Sequence, residues 1–154
     1  EETGGIIGNG DITMDWIVHV LKRAVDTQYR TKADRRHTFL AGSSMGGLMT
    51  LYGLLAYPEV FSRGAALSPS LWIDAEKVKA MIRHARVKRN TVLYMDYGAL
   101  EFADHPHSRS LFAEVSALLI EKRVLLNSRI VPRGTHCEAS WEKQIPFFMK
   151  TLFE

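Results

Sequence analysis

Thr38-Phe39-Leu40-Ala41-Gly42-Ser43-Ser44-Met45-Gly46-Gly47-Leu48 opens a run of 21 residues, Thr38 to Pro58, that carries no charge. By count the run could span a bilayer. Gly42, Ser43, Ser44, Gly46 and Gly47 interrupt it where a turn is due, however, so it divides into a strand, Thr38 to Ala41, and a helix. In that helix Leu48, Leu51, Tyr52 and Leu55 recur at helical spacing until Pro58 stops it. Outward from this unit the same alternation repeats. Upstream, Asp11 to Tyr29 spaces Ile17, Val20, Leu21, Ala24 and Val25 as one helical face, with Asp11 as the expected N-cap. Downstream come a buried-type strand at Gly64 to Ser68, a helix at Ala75 to Val87 and a β-branched, aromatic strand at Thr91 to Tyr97. A helix at Pro106 to Arg123, a strand at Leu126 to Val131 and a closing helix marked by Trp141, Ile145, Phe148 and Leu152 complete the chain, with Pro146 kinking that helix or opening its second part. Strand and helix alternate four times. This order predicts an α/β domain over residues 1–154, a doubly wound, mainly parallel sheet of about four strands with flanking helices. In such sheets ligands bind beyond the carboxyl ends of the strands.

The chain has 154 residues, 46% hydrophobic and 24% charged, enough to bury a core without disulfides or a structural metal. Its single cysteine, Cys137, can form neither an internal bridge nor a four-cysteine zinc site, and a reducing, cytoplasmic setting is expected. No export signal is visible near the N-terminus. The net charge of +3 is spread along the chain; the modest basic clusters at 32–37 and 83–89 lack interleaved aromatics, so neither nucleic acid nor a membrane is the expected partner.

Gly42-Ser43-Ser44-Met45-Gly46 matches G-x-S-x-G between an expected strand and an expected helix, the context of a nucleophile elbow. In so tight a turn the residues flanking the serine must be small, and the Ser44 hydroxyl is held out at the sheet edge. The Met45 N–H, at the positive end of the helix, is the expected oxyanion donor. A serine of this kind needs a base, and His136 lies after the fourth strand in Pro132-Arg133-Gly134-Thr135-His136. His19, His37 and His84 are expected at the surface or satisfied by neighbours. The acid should follow the third strand, where Asp96, Glu101 and Asp104 compete: Asp96 within the strand, Glu101 on the loop past Gly98. Asp104-His105-Pro106-His107 could be read as three metal ligands, but a capping loop explains it better, and no metal or cofactor is expected. Cys137 is read as a small packed residue.

Ala41-Gly42-Ser43-Ser44-Met45-Gly46-Gly47-Leu48, Tyr57-Pro58-Glu59-Val60-Phe61, Leu67-Ser68-Pro69-Ser70-Leu71-Trp72 and Gly134-Thr135-His136-Cys137-Glu138-Ala139-Ser140-Trp141 together resemble the putative-esterase family of α/β-hydrolases. That family includes siderophore trilactone esterases, feruloyl esterases, S-formylglutathione hydrolase and mycolyltransferases. The resemblance implies Ser44 as nucleophile, His136 as base and, from Gly98-Ala99-Leu100-Glu101, Glu101 as acid. It also implies Trp72 as a residue lining the substrate site and a small-molecule ester as substrate. Where this branch of the family often has Asn after the histidine, the chain has Cys137.

The residues before Ser44 leave no room for the family's earlier strands, so the chain is expected to be the C-terminal part of an esterase, a truncated or processed piece. Gly4-Gly5 is too close to the nucleophile strand to be the second oxyanion loop. An open strand edge on such a piece favours self-association. Two further readings follow: a non-catalytic module that binds a partner or its own copy, and acyl transfer to an acceptor other than water.

Overall fold

A computed structural model describes residues 8–104 and 106–154. The chain divides into two compact units, 1–33 and 34–154. The Gly4-Gly5 pair, His105 and the Asp104 side chain lie outside the described residues, so the metal reading of residues 104–107 falls outside them too.

The first unit is built on one continuous helix, α1, over residues 10–28: α-helical at Gly10–Trp16, π-helical at Ile17–Leu21 and α-helical again at Lys22–Gln28. Two expectations are corrected here. Asn9, not Asp11, takes the N-cap position; Asp11 lies inside the first turn, where its carboxylate accepts the Ile12 N–H at 2.8 Å. The face drawn through Val20, Leu21, Ala24 and Val25 is exposed. A 3.6-residue period does not carry through a π-helical turn, and the period alone does not say what a stripe packs against.

The second unit holds a four-stranded, all-parallel sheet. Its strands are β1 (Phe39–Ser43), β2 (Arg63–Leu67), β3 (Val92–Gly98) and β4 (Leu125–Val131), adjacent in chain order. The connections carry α2 (Met45–Ala56), α3 (Ala75–His84), a short α4 (Glu101–Asp104) and α5 (Ser108–Glu121). After β4 come α6 (Glu138–Glu142) and α7 (Ile145–Phe153). Pro146 sits in the first turn of α7, so it opens that helix rather than bending it. Asp74 caps α3 by accepting the Lys77 N–H at 3.0 Å, and the helix ends at His84 because Ala85 is extended.

Alternation along the strands sorts the two faces. Gly64 looks toward α2, where an added Cβ would lie 3.0 Å from Thr50 Cγ2 and 3.5 Å from Leu54 Cδ2. On the opposite face Ala65, Leu67 and Tyr94 pack with Leu152 of α7, joined by Phe39, Trp141 and Phe148. The flanking helices thus cover both sides, and β1 and β4 are the sheet's edges among the described residues.

Candidate active site

The turn from β1 into α2 holds Ser44 at φ 55° and ψ −119°, a backbone state that L residues seldom adopt. The turn is pinned on both sides: the Ser44 N–H donates to the Leu67 carbonyl at 2.9 Å, and the Ser44 carbonyl accepts from Leu48 N and Ser70 N at 3.1 Å each. Gly42 is obligatory, since a Cβ there would lie 2.6 Å from the Gly46 carbonyl group. A Cβ on Gly47 would meet the Leu67 carbonyl oxygen at 3.0 Å, whereas one on Gly46 would meet nothing within 4 Å. The motif's second glycine is therefore wanted for its backbone, which Gly42 approaches, and not for missing side-chain space. Strain of this kind persists where surrounding bonds over-determine it, and it clusters at functional sites.

Glu101 does not sit on an open loop as expected; it is the first residue of α4, and it is 5% exposed. Two glycines allow this. A Cβ on Gly98 would fall 2.4 Å from Gly134 backbone atoms and 2.7 Å from Glu101 Oε1, so the loop after β3 and the loop after β4 touch through bare backbone. Ala99 N donates to the Val131 carbonyl at 2.9 Å and Leu100 N to the Gly134 carbonyl at 3.0 Å, lacing the two loops together.

Across that seam His136 Nδ1 lies 2.7 Å from Glu101 Oε2, and His136 Nε2 lies 2.9 Å from Ser44 Oγ. Glu101 Oε1 accepts from the Gly98 N–H and from Ser68 Oγ, each at 2.7 Å. Both carboxylate oxygens thus face donors, an arrangement that suits an ionised Glu101, a proton on His136 Nδ1 and a lone pair at Nε2 turned to the Ser44 hydroxyl. Of the two acids weighed from sequence whose side chains are described, Glu101 and Asp96, Glu101 is the one brought to the histidine. Asp96 is 1% exposed and turns into the face under α7, where it accepts from Tyr94 Oη at 2.7 Å and from Ser68 N at 3.2 Å. Burial holds its carboxyl above the usual aspartate range, partly offset by the Tyr94 and Ser68 hydrogen bonds. Burial likewise raises the Tyr94 and Tyr97 hydroxyls.

Three other histidines have local partners: His37 Nδ1 lies 2.7 Å from Asp34 Oδ2, His84 Nδ1 2.7 Å from the Ala80 carbonyl, and His19 pairs with Asp15 at 3.4 Å. Cys137 Sγ stays within its own loop, 3.2 Å from Thr135 Oγ1. Met45, as the first residue of α2, presents an N–H with no carbonyl one turn earlier to bind. Trp72 is 48% exposed on the turn Leu71–Asp74, two residues after Ser70.

Three residues named in the sequence were assigned no role at the site. Ser68 lies between Glu101 and Trp141, whose Nε1–H donates to Ser68 Oγ at 3.1 Å. Ser70 Oγ stands 3.3 Å from Ser44 Oγ. The Trp141 ring meets the His136 ring edge-on, centroids 5.0 Å apart. Serines have no pattern of their own, and the spacing of Trp141 reads as helix packing; the available signal was that all three stand in the stretches that carry the family resemblance.

The sequence model of one family, described as Putative esterase, matches residues 11–149. The chain belongs to the Putative esterase family. Among curated relatives, an iron(III) salmochelin esterase of Escherichia coli O6:H1 is 38% identical over 79 residues, 50% of this chain and 19% of that protein. A siderophore triacetylfusarinine C esterase of Aspergillus fumigatus is 29% identical over 105 residues, 64% of this chain and 35% of that protein. An IroE-like serine hydrolase of Shewanella oneidensis superposes with a TM-score of 0.75 at 20% identity, over 94% of this chain and 47% of that one. The enterobactin esterase of Shigella flexneri does so with a TM-score of 0.65 at 25% identity, over 88% and 36%. This family member thus matches about a fifth to a third of the length of its curated relatives, and its fold is that of the α/β serine hydrolases.

Proposed function

We propose that the chain carries the nucleophile, base and acid of a serine esterase, and that it hydrolyses carboxylic esters through an acyl-serine intermediate. The observation that carries this reading is the unbroken series Ser44 Oγ, His136, Glu101, with contacts of 2.9 and 2.7 Å. As Ser44 Oγ bonds to the ester carbonyl carbon, its proton passes to His136 Nε2, and the carbonyl oxygen becomes an oxyanion that accepts from the Met45 N–H. Imidazolium then forms beside the Glu101 carboxylate, which stabilises it without taking its proton. The C–O bond to the alcohol breaks as His136 returns the proton to the leaving oxygen. Water, deprotonated by the same nitrogen, releases the acid and restores Ser44. Exposed Met45, Trp72 and Leu100 lie on the segments bearing Ser44, Ser70 and Glu101, an apolar rim suited to the body of an ester. The relatives' names make siderophore esters the first substrates to assay.

The test is reaction with a fluorophosphonate followed by intact-mass measurement. One adduct, absent from Ser44→Ala, is the expected result; an unmodified wild-type mass would sink the proposal.

A further inference from the structure

We infer that Trp141 and Ser68 are positioning residues which fix the charge state and orientation of Glu101, and through it the basicity of His136; the inference rests on the esterase reading only for its catalytic consequence.

Hydrogen-bond direction fixes the order of donors and acceptors here. An indole N–H can only donate, so at 3.1 Å from Trp141 Nε1 the Ser68 oxygen must accept. Its single hydrogen is then free for one partner, and Glu101 Oε1 at 2.7 Å is that partner. Oε1 already takes the Gly98 N–H at 2.7 Å, and Oε2 faces His136 Nδ1 at 2.7 Å. Were Glu101 protonated on Oε1 and donating to Ser68, the serine hydrogen would lose this acceptor, and a buried donor without a partner is costly. Donation therefore runs one way, from Trp141 to Ser68 to Glu101.

Ser68 is 1% exposed and holds φ at 41°, a strained value for serine. Its backbone shows why: the Ser68 N–H reaches the Asp96 carbonyl at 3.0 Å and Asp96 Oδ1 at 3.2 Å while its side chain serves Glu101. One residue thus spaces two buried carboxylates apart. Trp141 acts twice, through its N–H on Ser68 and through its ring against His136. Among the described residues, the ionisable groups facing this chain include Asp96 and Tyr97 from β3, both within electrostatic reach of Glu101, Tyr94 from β3, which donates to Asp96, and Arg129 from β4, which acts on Asp96.

Withdrawing a donor from Glu101 concentrates its charge, which strengthens its hold on imidazolium and raises the pH at which His136 loses its proton. The variants are Ser68→Ala and Trp141→Phe; the second keeps an aromatic ring in the place facing His136 while removing the N–H together with part of the indole's volume, and it serves if the first does not fold. The measurement is a titration of the His136 ring by NMR, assigned with His136→Asn. Ser68→Ala is expected to move the His136 midpoint upward by roughly half to one pH unit, Trp141→Phe by less and in the same direction. In parallel, the acid limb of the fluorophosphonate rate should move by the same amount. Midpoints within about 0.2 units of wild type in every folded variant would overturn the inference, whatever the effect on rate. A shifted midpoint in a protein that never labels would uphold the relay and remove the esterase proposal instead; normal labelling with unmoved midpoints would do the reverse.

Discussion

Asp96 and Glu101 are both almost lost to solvent, yet their partners differ: a tyrosine hydroxyl for one, an imidazole for the other. Glu101→Gln puts an amide opposite His136 Nδ1 and disfavours the tautomer that leaves Nε2 free, so ester turnover should fall by about 10²- to 10⁴-fold. Asp96→Asn, assayed beside it on a p-nitrophenyl ester, should cost less than about tenfold, since the hydrogen bond from Asp96 toward the site reaches the Ser68 N–H and no reacting group. Asp96 has a second, pH-linked effect. Its folded carboxyl titrates above the ordinary aspartate value of 3.8, so as pH rises past that value the unfolded chain releases this proton first. The folded state binds more protons in that window, and the contribution of Asp96 to stability falls with rising pH until its folded value is passed. Urea unfolding at pH 4 and pH 7 checks this: the wild type should lose more, or gain less, stability between them than Asp96→Asn does. At Gly98 the conflict is steric. A methyl group 2.4 Å from Gly134 forces the two loops apart, and Gly98→Ala should cost about 1–3 kcal/mol in urea unfolding and most of the labelling.

Single elements show what a sequence can and cannot declare. The four strands and the helices between them were legible because strand-length apolar runs alternate with helical periods, and the elbow because its glycines are a steric demand. The exposed flank of α1 was not legible, since apolar spacing marks a stripe and leaves its partner unstated. The helical start at Glu101 was hidden because a four-residue helix has too few positions to show a period. His136 could be nominated from its order along the chain, while order left three acids open and only the family resemblance pointed to Glu101; the roles of Ser68 and Ser70 came to light only when the strands were set side by side. Register also explains an element-level contact that no pattern announces. Arg63, at the start of β2, donates to the Leu152 carbonyl at 2.8 Å, and to that of Thr151 at 3.5 Å, at the end of α7. A cation there offsets the negative helix end. Arg63→Met keeps the stem and removes the head, and a loss of about 1–2 kcal/mol is expected from its urea midpoint.

At the scale of the whole molecule, the sheet carries the three proposed catalytic groups on separate strands: Ser44 beyond β1, Glu101 beyond β3 and His136 beyond β4. Among the described residues two of these strands are edges, and β4 is the more open, with Leu125 at 58% and Ile130 at 38% exposure. The proposed base therefore hangs from the strand with the least protection. Strands of this kind open locally, at a free energy well below that of global unfolding. Each such opening would carry the imidazole away from its serine while α2 and the inner strands stay in place. On warming, inactivation should thus precede the loss of far-ultraviolet ellipticity, and amide deuterium uptake should be faster in Leu125–Val131 than in Arg63–Leu67. The working lifetime of the site is then a property of one strand's fraying, and heat tolerance would be sought there before it is sought in the core.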